Sequence, residues 1–422
     1  MIDLKKFREN PEFYWKKAKD KWVEIDISKF VELDNKVRNL KLQIDELNQK
    51  KNKLSKEIPQ IQKQWWDASS MIEEVKNIKK ELENIQWEYN ISYKEFYEIY
   101  LDIPNPSLDN VPFWKSDEEN QELAKIWKIK DFAFSPKTHW DLLEERWLID
   151  QERAVKVSGS RFLYIRDWLV KLEFALVMWA IDKLSKKWFS PAIPPNLVRE
   201  DAMLATGFFP ADKNQVYNVN PEDDDLHLVW TSEVPLVSQH MNEILSKDEL
   251  PLRYVWFSPC YRREAWTYWK DTKWFIRLHQ FEKVEMVSFV EPSKWEDEHN
   301  LILDIEEEIY QELGIPYRKL LICTWDLWAP AAKKYDLEAW FPGIWDYKEI
   351  TSCSNTTDFQ ARRANIKFKD NSTNEKDFVY TLNGTTMALG RVMAAIVENY
   401  QNEDKTITVP KVLQHYFWAE KI

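Results

Sequence analysis

Charged and aromatic side chains alternate with apolar ones in residues 275–286, Phe-Ile-Arg-Leu-His-Gln-Phe-Glu-Lys-Val-Glu-Met. Alternate residues of a β-strand share a face, so Arg277, His279, Phe281, Lys283 and Glu285 are predicted to line one side. Burying such a face is costly unless a polar molecule docks there. The pattern therefore suggests a polar ligand site, although spacing alone favours a solvated face with cross-strand ion pairs.

The elements that would position these residues are strands with few helices between them. The same alternation places Arg262 and Glu264 on one side of a preceding strand at 252–263. Further strand-like segments occur at 226–230, 275–290, 333–341 and 378–382, and helical segments at 295–313 and 386–401. Consecutive strands with few crossover helices predict an antiparallel sheet in an α+β domain.

The first hundred residues follow a heptad pattern. Apolar side chains recur at steps of three and four between residues 30 and 61, interrupted at Lys51, and again between residues 71 and 99. This predicts two long helices separated by a break at Pro59 and a turn at 64–69. Such a hairpin can serve as a dimerisation coiled coil or as an arm that reaches RNA. A proline-containing linker at 102–112 separates the predicted domains, 1–103 and 104–422.

The net charge of −12 at first argues against nucleic acid as a partner. The charge is uneven, however: residues 1–100 hold 20 Lys and Arg against 19 Asp and Glu, and residues 36–63 hold eight against three. An acidic body with one basic limb is compatible with a local RNA contact.

Two further observations bear on the compartment. The longest apolar run, at 175–181, is far shorter than the ~20 residues of a membrane span, and residues 1–10 lack the apolar core of a secretory signal. The cysteines, Cys260, Cys323 and Cys353, lie far apart. This favours reduced thiols in a cytoplasmic protein and argues against a cysteine-bound zinc.

Several motifs occur in a family-specific order. Residues 257–265 read Phe-Ser-Pro-Cys-Tyr-Arg-Arg-Glu-Ala, before Ile-Arg-Leu-His-Gln-Phe-Glu-Lys-Val-Glu at 276–285. The other motifs are Val-Ser-Gly-Ser-Arg at 157–161, Pro-Pro at 194–195, Thr-Ser-Glu at 231–233, Glu-Ile-Thr-Ser at 349–352, Asp-Phe-Gln-Ala-Arg-Arg at 358–363, Thr-Leu-Asn-Gly-Thr at 381–385 and Gly-Arg at 390–391. Over nearly its whole length the chain resembles the bacterial-type seryl-tRNA synthetases, which are class II aminoacyl-tRNA synthetases.

The resemblance implies a class II catalytic domain, preceded by a two-helix coiled-coil arm, with an ATP site. Arg262 would grip the α-phosphate with its fork of donors and Glu264 the adenine edge, while Phe281 and Arg391 would sandwich the adenine. Arg262 and Arg391 are the implied catalytic residues. The implied ATP-binding residues are Arg262, Arg263, Glu264, Leu278, Phe281, Glu349, Ile350, Thr351, Ser352 and Arg391.

The resemblance also implies Mg²⁺, held through ATP by Glu349 and Ser352, with no zinc. Oxygen ligands suit this hard cation. The implied L-serine site consists of Thr231, Ser232, Glu233, Glu285, Asn383 and Thr385. Its carboxylates would pair with the serine ammonium, and a hydrogen bond to the substrate hydroxyl would reject alanine.

The implied activity is ATP-dependent serine–tRNA ligation. The serine carboxylate attacks the α-phosphate to give seryl-adenylate, and the 3′ end of tRNA(Ser) then accepts the seryl group. Positioning and charge neutralisation supply the acceleration, so we predict no nucleophilic side chain and interpret His279 as structural. The resemblance further implies a cytoplasmic homodimer whose basic arm binds tRNA. It leaves open whether tRNA(Sec) is also charged.

The chain contains 23 tryptophans and only 6 glycines, and the two counts together match the ~7% that glycine alone normally takes. In the family that the chain resembles, glycine occupies the positions of Trp266, Trp269 and Trp274. It is also common at those of Trp114, Trp188, Trp230, Trp256, Trp325, Trp328 and Trp418, whereas Trp140 and Trp340 match family tryptophans. We hypothesise that most of the tryptophans are glycine in the cell, encoded by UGA.

Two alternatives to an active synthetase remain open on sequence. A catalytically dead synthetase paralogue acting as an RNA-binding or interaction protein would explain tryptophan-filled loops, but the polar site residues are intact. An amino acid:carrier-protein ligase would share the activating chemistry, but it does not need the long hairpin of residues 28–100.

Overall fold

The computed structural model describes residues 1–264, 275 and 277–422. The chain divides into two compact units, one of residues 3–104 and one of residues 1–2 with 105–422. Trp266, Trp269 and Trp274 lie outside the described residues, as does Ile276. In the part of the chain that is described, no helix is long and apolar enough to span a membrane.

The unit of residues 3–104 is helical. Its helices are α1 (Leu4–Glu9), α2 (Pro11–Asp20), α3 (Ile27–Lys63) and α4 (Ser69–Asp102). The carboxylate of Asp26 caps α3 by accepting a hydrogen bond from the backbone N–H of Lys29, which satisfies an otherwise unpaired amide. α3 continues through Pro59 to Lys63, so the predicted break at Pro59 is wrong. A proline removes one helical hydrogen bond, and α3 tolerates that loss at the exposed Pro59.

α3 and α4 pair in an antiparallel register, which confirms the predicted hairpin. At one end of the seam the ring of Phe30 stacks on that of Phe96, with 5.0 Å between centroids. Three ion pairs connect the helices along their length, Lys29–Glu95 at 3.9 Å, Lys36–Glu88 at 2.9 Å and Lys50–Glu74 at 2.7 Å. These pairs are half exposed, so they set the register more than they stabilise the fold.

The larger unit contains both helices and strands. Its helices are α5 (His139–Glu145), α6 (Gln151–Ser158), α7 (Trp168–Lys186), α8 (Glu200–Thr206), α9 (Glu233–Ser238), α10 (Trp295–Leu313), α11 (Phe359–Ala364), α12 (Leu389–Asn399) and α13 (Gln414–Phe417). Its strands are β1 (Gln121–Ile126), β2 (Ile149–Asp150), β3 (Tyr164–Ile165), β4 (Ser190–Pro191), β5 (Leu197–Arg199), β6 (Leu226–Leu228), β7 (Ile244–Ser246), β8 (Leu252–Tyr261), β9 (Gln280–Val290), β10 (Tyr317–Leu321), β11 (Lys333–Phe341), β12 (Asp346–Asn355), β13 (Lys367–Lys369), β14 (Lys376–Phe378) and β15 (Tyr380–Ala388).

An eight-stranded sheet organises this unit, in the order β1-β10-β11-β12-β15-β9-β8-β4. Every neighbouring pair is antiparallel except β4 with β8 at one edge. The predicted antiparallel sheet of an α+β domain is therefore confirmed, with one parallel edge pair that was not expected. The predicted elements at 333–341 and 295–313 coincide with β11 and α10.

The strands that carry the charged face are shorter than predicted. β8 ends at Tyr261, so Arg262 follows the strand, and β9 begins at Gln280, so Arg277 precedes it. The predicted alternation therefore holds only from Phe281 onwards. The helix predicted at 386–401 begins at Leu389, because residues 386–388 complete β15.

α10 packs directly against the sheet behind β15. Gly384 of β15 has no room for a side chain, because a Cβ there would overlap Ile302 and lie 2.8 Å from Oε1 of Glu306. Both residues belong to α10 and are fully buried. The helix thus holds the central strand in place through a close backbone approach that only glycine allows.

Candidate active site

A cavity of about 250 Å³ opens on the large sheet. It lies among the end of β8, strands β9, β12 and β15, and the start of α12. The residues that line it are Arg262, Glu264, Phe275, Arg277, Leu278, Phe281, Lys283, Glu349, Ile350, Thr351, Ser352, Thr385, Ala388, Gly390 and Arg391. Nine of the ten predicted ATP-binding residues are therefore brought together, and Arg263 is the exception.

Arg262 is positioned by the chain around it. Its backbone N–H donates to the carbonyl of His279 at 2.9 Å, and its guanidinium lies 4.4 Å from the ring of Trp230 and 5.0 Å from that of Phe281. Burial lowers its pKa, but an arginine stays charged. Among the described residues its buried Nε has no hydrogen-bond partner. A partly buried cation with an unused donor is suited to an anionic ligand.

Glu349 and Arg391 form an ion pair at the cavity wall. Nη1 of Arg391 lies 3.1 Å from Oε2 of Glu349 and donates to its backbone carbonyl at 2.8 Å. Burial opposes the charge of Glu349, but Arg391, Lys334 and Arg262 outweigh it and lower its pKa. The carboxylate therefore stays charged at neutral pH, although 45% of its side chain is exposed.

A second polar cluster continues from the cavity wall beneath Lys283. Nζ of Lys283 donates to Oγ1 of Thr231 at 2.7 Å and pairs with Glu285 at 2.5 Å. The hydroxyl of Thr385 donates to Oε2 of Glu285 at 3.2 Å. All four of these residues are at least nine-tenths buried. The arrangement offers hydroxyls and carboxylates to a small polar molecule.

Glu233 completes this cluster at the start of α9. It is 5% exposed, and its backbone N–H donates to Oγ1 of Thr231 at 3.3 Å. Burial, followed by the neighbouring carboxylate of Glu285, raises the pKa of Glu233 to about 7. Ser232, on the loop before α9, and Asn383, on β15, are also buried. Each is close in sequence to a residue of this cluster.

Two residues of the predicted motifs lie apart from the cavity. Arg263 is exposed, and its backbone N–H donates to the carbonyl of Gln215 at 2.9 Å. His279 stacks on Phe162 with 5.4 Å between ring centroids, and its Nδ1 lies 2.6 Å from the hydroxyl of Tyr217. These contacts fit the structural interpretation of His279.

Sequence reasoning missed two residues that act on the site. Lys334 lies on β11 and helps to hold the charge of Glu349, and Gln360 on α11 donates to Oε1 of Glu233 at 2.7 Å. Lys334 lies in none of the motifs, and Gln360 lies in the motif at 358–363 without a role assigned to it. Their roles depend on which elements the sheet order and the helix packing bring together.

Two family models match the sequence of this chain. Residues 217–400 match the model of the tRNA synthetase class II core domain (G, H, P, S and T), and residues 1–107 match the seryl-tRNA synthetase N-terminal domain. A serine–tRNA ligase of Dictyoglomus turgidum is 42% identical across 100% of this chain and 99% of its own length. The chain belongs to the seryl-tRNA synthetase family.

Other members of the seryl-tRNA synthetase family agree. The serine–tRNA ligase of Thermosipho africanus is 43% identical over 100% of this chain and 99% of its own. The seryl-tRNA synthetase of Pyrococcus horikoshii, solved in complex with ATP, superimposes with a TM-score of 0.90 at 37% identity, covering 100% and 99% of the two chains. The cytoplasmic enzyme of Naegleria fowleri, in complex with AMP, gives a TM-score of 0.86 at 30% identity, covering 100% and 98%.

Proposed function

We propose that this protein activates L-serine with ATP and transfers the seryl group to the 3′ end of tRNA(Ser). A carboxylate oxygen of serine attacks the α-phosphorus, the bond to the β-phosphate breaks, and pyrophosphate leaves. The 3′-terminal hydroxyl of the tRNA then attacks the carbonyl carbon, and AMP leaves. The observation that carries the proposal is the pair of cations, Arg262 and Arg391, in one cavity beside a buried cluster of hydroxyls and carboxylates.

ATP would bind in the 250 Å³ cavity. The unused Nε of Arg262 supports a contact with the α-phosphate, where negative charge is transferred during the reaction. Phe281 and Arg391 line the same cavity, as an adenine sandwich requires, and Glu264 would read the adenine edge. Leu278 and the segment 350–351 would complete the nucleotide site, and Arg263 would contribute from its exposed side.

The donor set also fits a magnesium ion bound with the nucleotide. Glu349 keeps its charge, and both Glu349 and Ser352 line the cavity, so two oxygen ligands are available for a cation that prefers oxygen. The described residues contain no cluster of three His, Cys, Asp or Glu that could hold a metal alone. Mg²⁺ would neutralise phosphate charge when it is bound together with ATP.

Serine would bind in the cluster around Lys283. Glu233 and Glu285 would pair with its ammonium, while Thr231, Ser232, Asn383 and Thr385 would offer hydrogen bonds to its other polar groups. Serine-dependent exchange of pyrophosphate into ATP tests the assignment, because exchange requires adenylate formation but no tRNA. We expect strong exchange with serine and little with alanine or threonine. Exchange with another amino acid and none with serine would refute the serine assignment.

Residues 1–103 would act as the tRNA-binding arm and residues 104–422 as the catalytic domain. The basic stretch at 36–63 supports this division, because phosphate contacts depend on local positive charge. A homodimer is supported by Trp168, Phe174 and Met178, which expose apolar surface on α7. Since charged tRNA is consumed at the ribosome, we place the protein in the cytoplasm. Aminoacylation assays with both transcripts would decide whether tRNA(Sec) is a substrate alongside tRNA(Ser).

We further propose that most of the tryptophans are UGA-encoded glycines. Among the described residues, 15 non-glycine residues have positive φ, and seven of these are tryptophan: Trp22, Trp65, Trp127, Trp147, Trp188, Trp345 and Trp418. A bulky residue is rarely found in this region, whereas glycine enters it freely. All seven side chains are more than half exposed, so packing does not account for the conformation.

The ends of six helices allow tryptophan and glycine to be compared at equivalent positions within this chain. After α2, α3, α5 and α7, the residue following a positive-φ tryptophan donates to the carbonyl five positions earlier, as Phe189 does to Leu184 at 3.1 Å. α8 and α10 end with the same hydrogen bond, and there the positive-φ residue is glycine, at Gly207 and Gly314. This helix ending is the one in which glycine is usual.

Peptide mass spectrometry of the native protein tests the recoding. We expect glycine at positions 147, 188, 266, 269, 274 and 418, and tryptophan at Trp140 and Trp340, which are 4% and 6% exposed. The backbone φ gives no support for glycine at five other positions, because it is not positive there: Trp114, Trp230, Trp256, Trp325 and Trp328. Tryptophan at all of the tested positions would refute the recoding and favour the dead-paralogue alternative.

A further inference from the structure

Gln360 lies on α11, behind the cluster to which we assign serine, and is 1% exposed. Its Nε2 donates to Oε1 of Glu233 at 2.7 Å and to the carbonyl of Thr206 at 3.0 Å. Its Oε1 accepts from the hydroxyl of Thr381 at 2.8 Å and from that of Thr356 at 3.2 Å. Both donor hydrogens of the amide are therefore used, and its oxygen accepts from Thr381.

This network leaves the amide only one orientation. The carbonyl oxygen of Thr206 can only accept, so the atom of Gln360 that faces it must be the nitrogen, and the same nitrogen faces Glu233. α8, β15 and the loop after β12 each supply one of the fixed partners. The donor presented to Glu233 is thus held by three separate parts of the fold.

From this geometry we propose that Gln360 is a positioning residue for amino-acid binding, which orients the Glu233 carboxylate and favours its charged form. The inference rests on the proposed role of Glu233 as a ligand of the serine ammonium. A donated hydrogen bond stabilises a carboxylate over the carboxylic acid, and only the carboxylate pairs with an ammonium group. Gln360 would therefore control serine binding without touching serine.

The groups around Glu233 explain why such help is needed. The charged residues Lys283 and Glu285 act on it from β9, and the uncharged amides of Gln360 and Asn383 act on it from α11 and β15. Burial and Glu285 raise the pKa of Glu233 to about 7, while Gln360, Lys283 and Asn383 act in the opposite direction. Loss of the Gln360 donor should raise this pKa further, so the carboxylate would ionise only at higher pH.

The test is the pH profile of serine-dependent pyrophosphate exchange by the full-length protein. We expect kcat/KM for serine to rise through pH 7 in the parent, as Glu233 ionises. In Gln360→Met the rise should move up by about one pH unit, which raises the KM for serine about fivefold at pH 7. The KM for ATP should not change. Gln360→Leu also lacks the donor and adds no charge, so it should shift the profile in the same direction if the methionine variant folds poorly.

Thr356→Val is the matched control, because it removes a hydroxyl that reaches Gln360 but leaves the donor to Glu233. Its profile should match that of the parent. An unshifted profile in both Gln360 variants, or equal changes in the KM for serine and for ATP, would overturn the inference. Glu233→Gln tests the role of Glu233 as a serine ligand separately from the role of Gln360. An unchanged KM for serine would refute the role of Glu233 itself, whereas a large rise leaves only Gln360 in question.

Discussion

Replacing the positive-φ tryptophans by glycine should stabilise the folded protein. We consider Trp147, Trp188 and Trp418, which have φ of 58°, 67° and 60° and side chains that are 74%, 84% and 88% exposed. The left-handed conformation costs an L-residue about 1–2 kcal/mol, whereas glycine pays about 0.5–1 kcal/mol in extra unfolded-state entropy. Little packing is lost, so each substitution should gain about 0.5–1 kcal/mol.

The triple variant should gain about 2 kcal/mol if the three sites act independently. In a domain of this size, that corresponds to a rise in Tm of roughly 4 °C, measured by calorimetry at matched protein concentration. Trp140→Gly is the control, since its ring is buried in the core and its loss should cost about 3–5 kcal/mol. A triple variant that melts at or below the parent temperature would show that these backbone positions do not favour glycine.

Three further predictions concern activity and pH. Arg262→Ala should lose most serine-dependent pyrophosphate exchange while circular dichroism stays unchanged, because a phosphate contact is lost rather than core packing; parent-like turnover would make Arg262 a mere surface charge. Deletion of residues 28–100 should leave that exchange largely intact but abolish serylation of tRNA, and efficient charging would reduce the arm to a structural element. Burial, with a contribution from Glu282, raises the pKa of Glu173 to about 8. The folded state therefore binds a proton that the unfolded chain releases, and the free energy of unfolding should fall as pH rises from the ordinary glutamate pKa to 8. Glu173→Gln should flatten this decline in a series of Tm measurements at different pH. An unaltered slope of Tm against pH would contradict the raised pKa of Glu173.

Local patterning was sufficient for several elements. β11 and α10 match their predicted bounds, because alternation and helical periodicity are strong where one face is buried. The heptad pattern predicted the antiparallel pairing of α3 and α4 for the same reason. It failed at Pro59, which lies inside α3 rather than ending it, and at 386–388, where the sheet extends a segment whose composition also suits a helix.

The site was predictable only as far as its motifs extend. Nine of the ten residues predicted to bind ATP meet at one cavity, since they occupy the ends and faces of adjacent strands. The roles of Lys334 and Gln360 escaped prediction, although Gln360 lies in the motif at 358–363, because they depend on the tertiary neighbours Glu349 and Glu233. Positive φ at Trp22, Trp65, Trp127, Trp147 and Trp345 also needed coordinates, because sequence periodicity does not report backbone handedness.

The contact between Gly384 and α10 has a consequence for how substrate preference can evolve. Asn383 and Thr385 flank Gly384 on β15, and the side chain of Ile302 fills the space behind it. A smaller residue at position 302 would let the strand recede, and a larger one would push it forward, while every ligand group stayed the same. The cluster to which we assign serine could therefore be resized from its rear wall, by mutations that an inspection of the proposed serine-contacting residues would overlook.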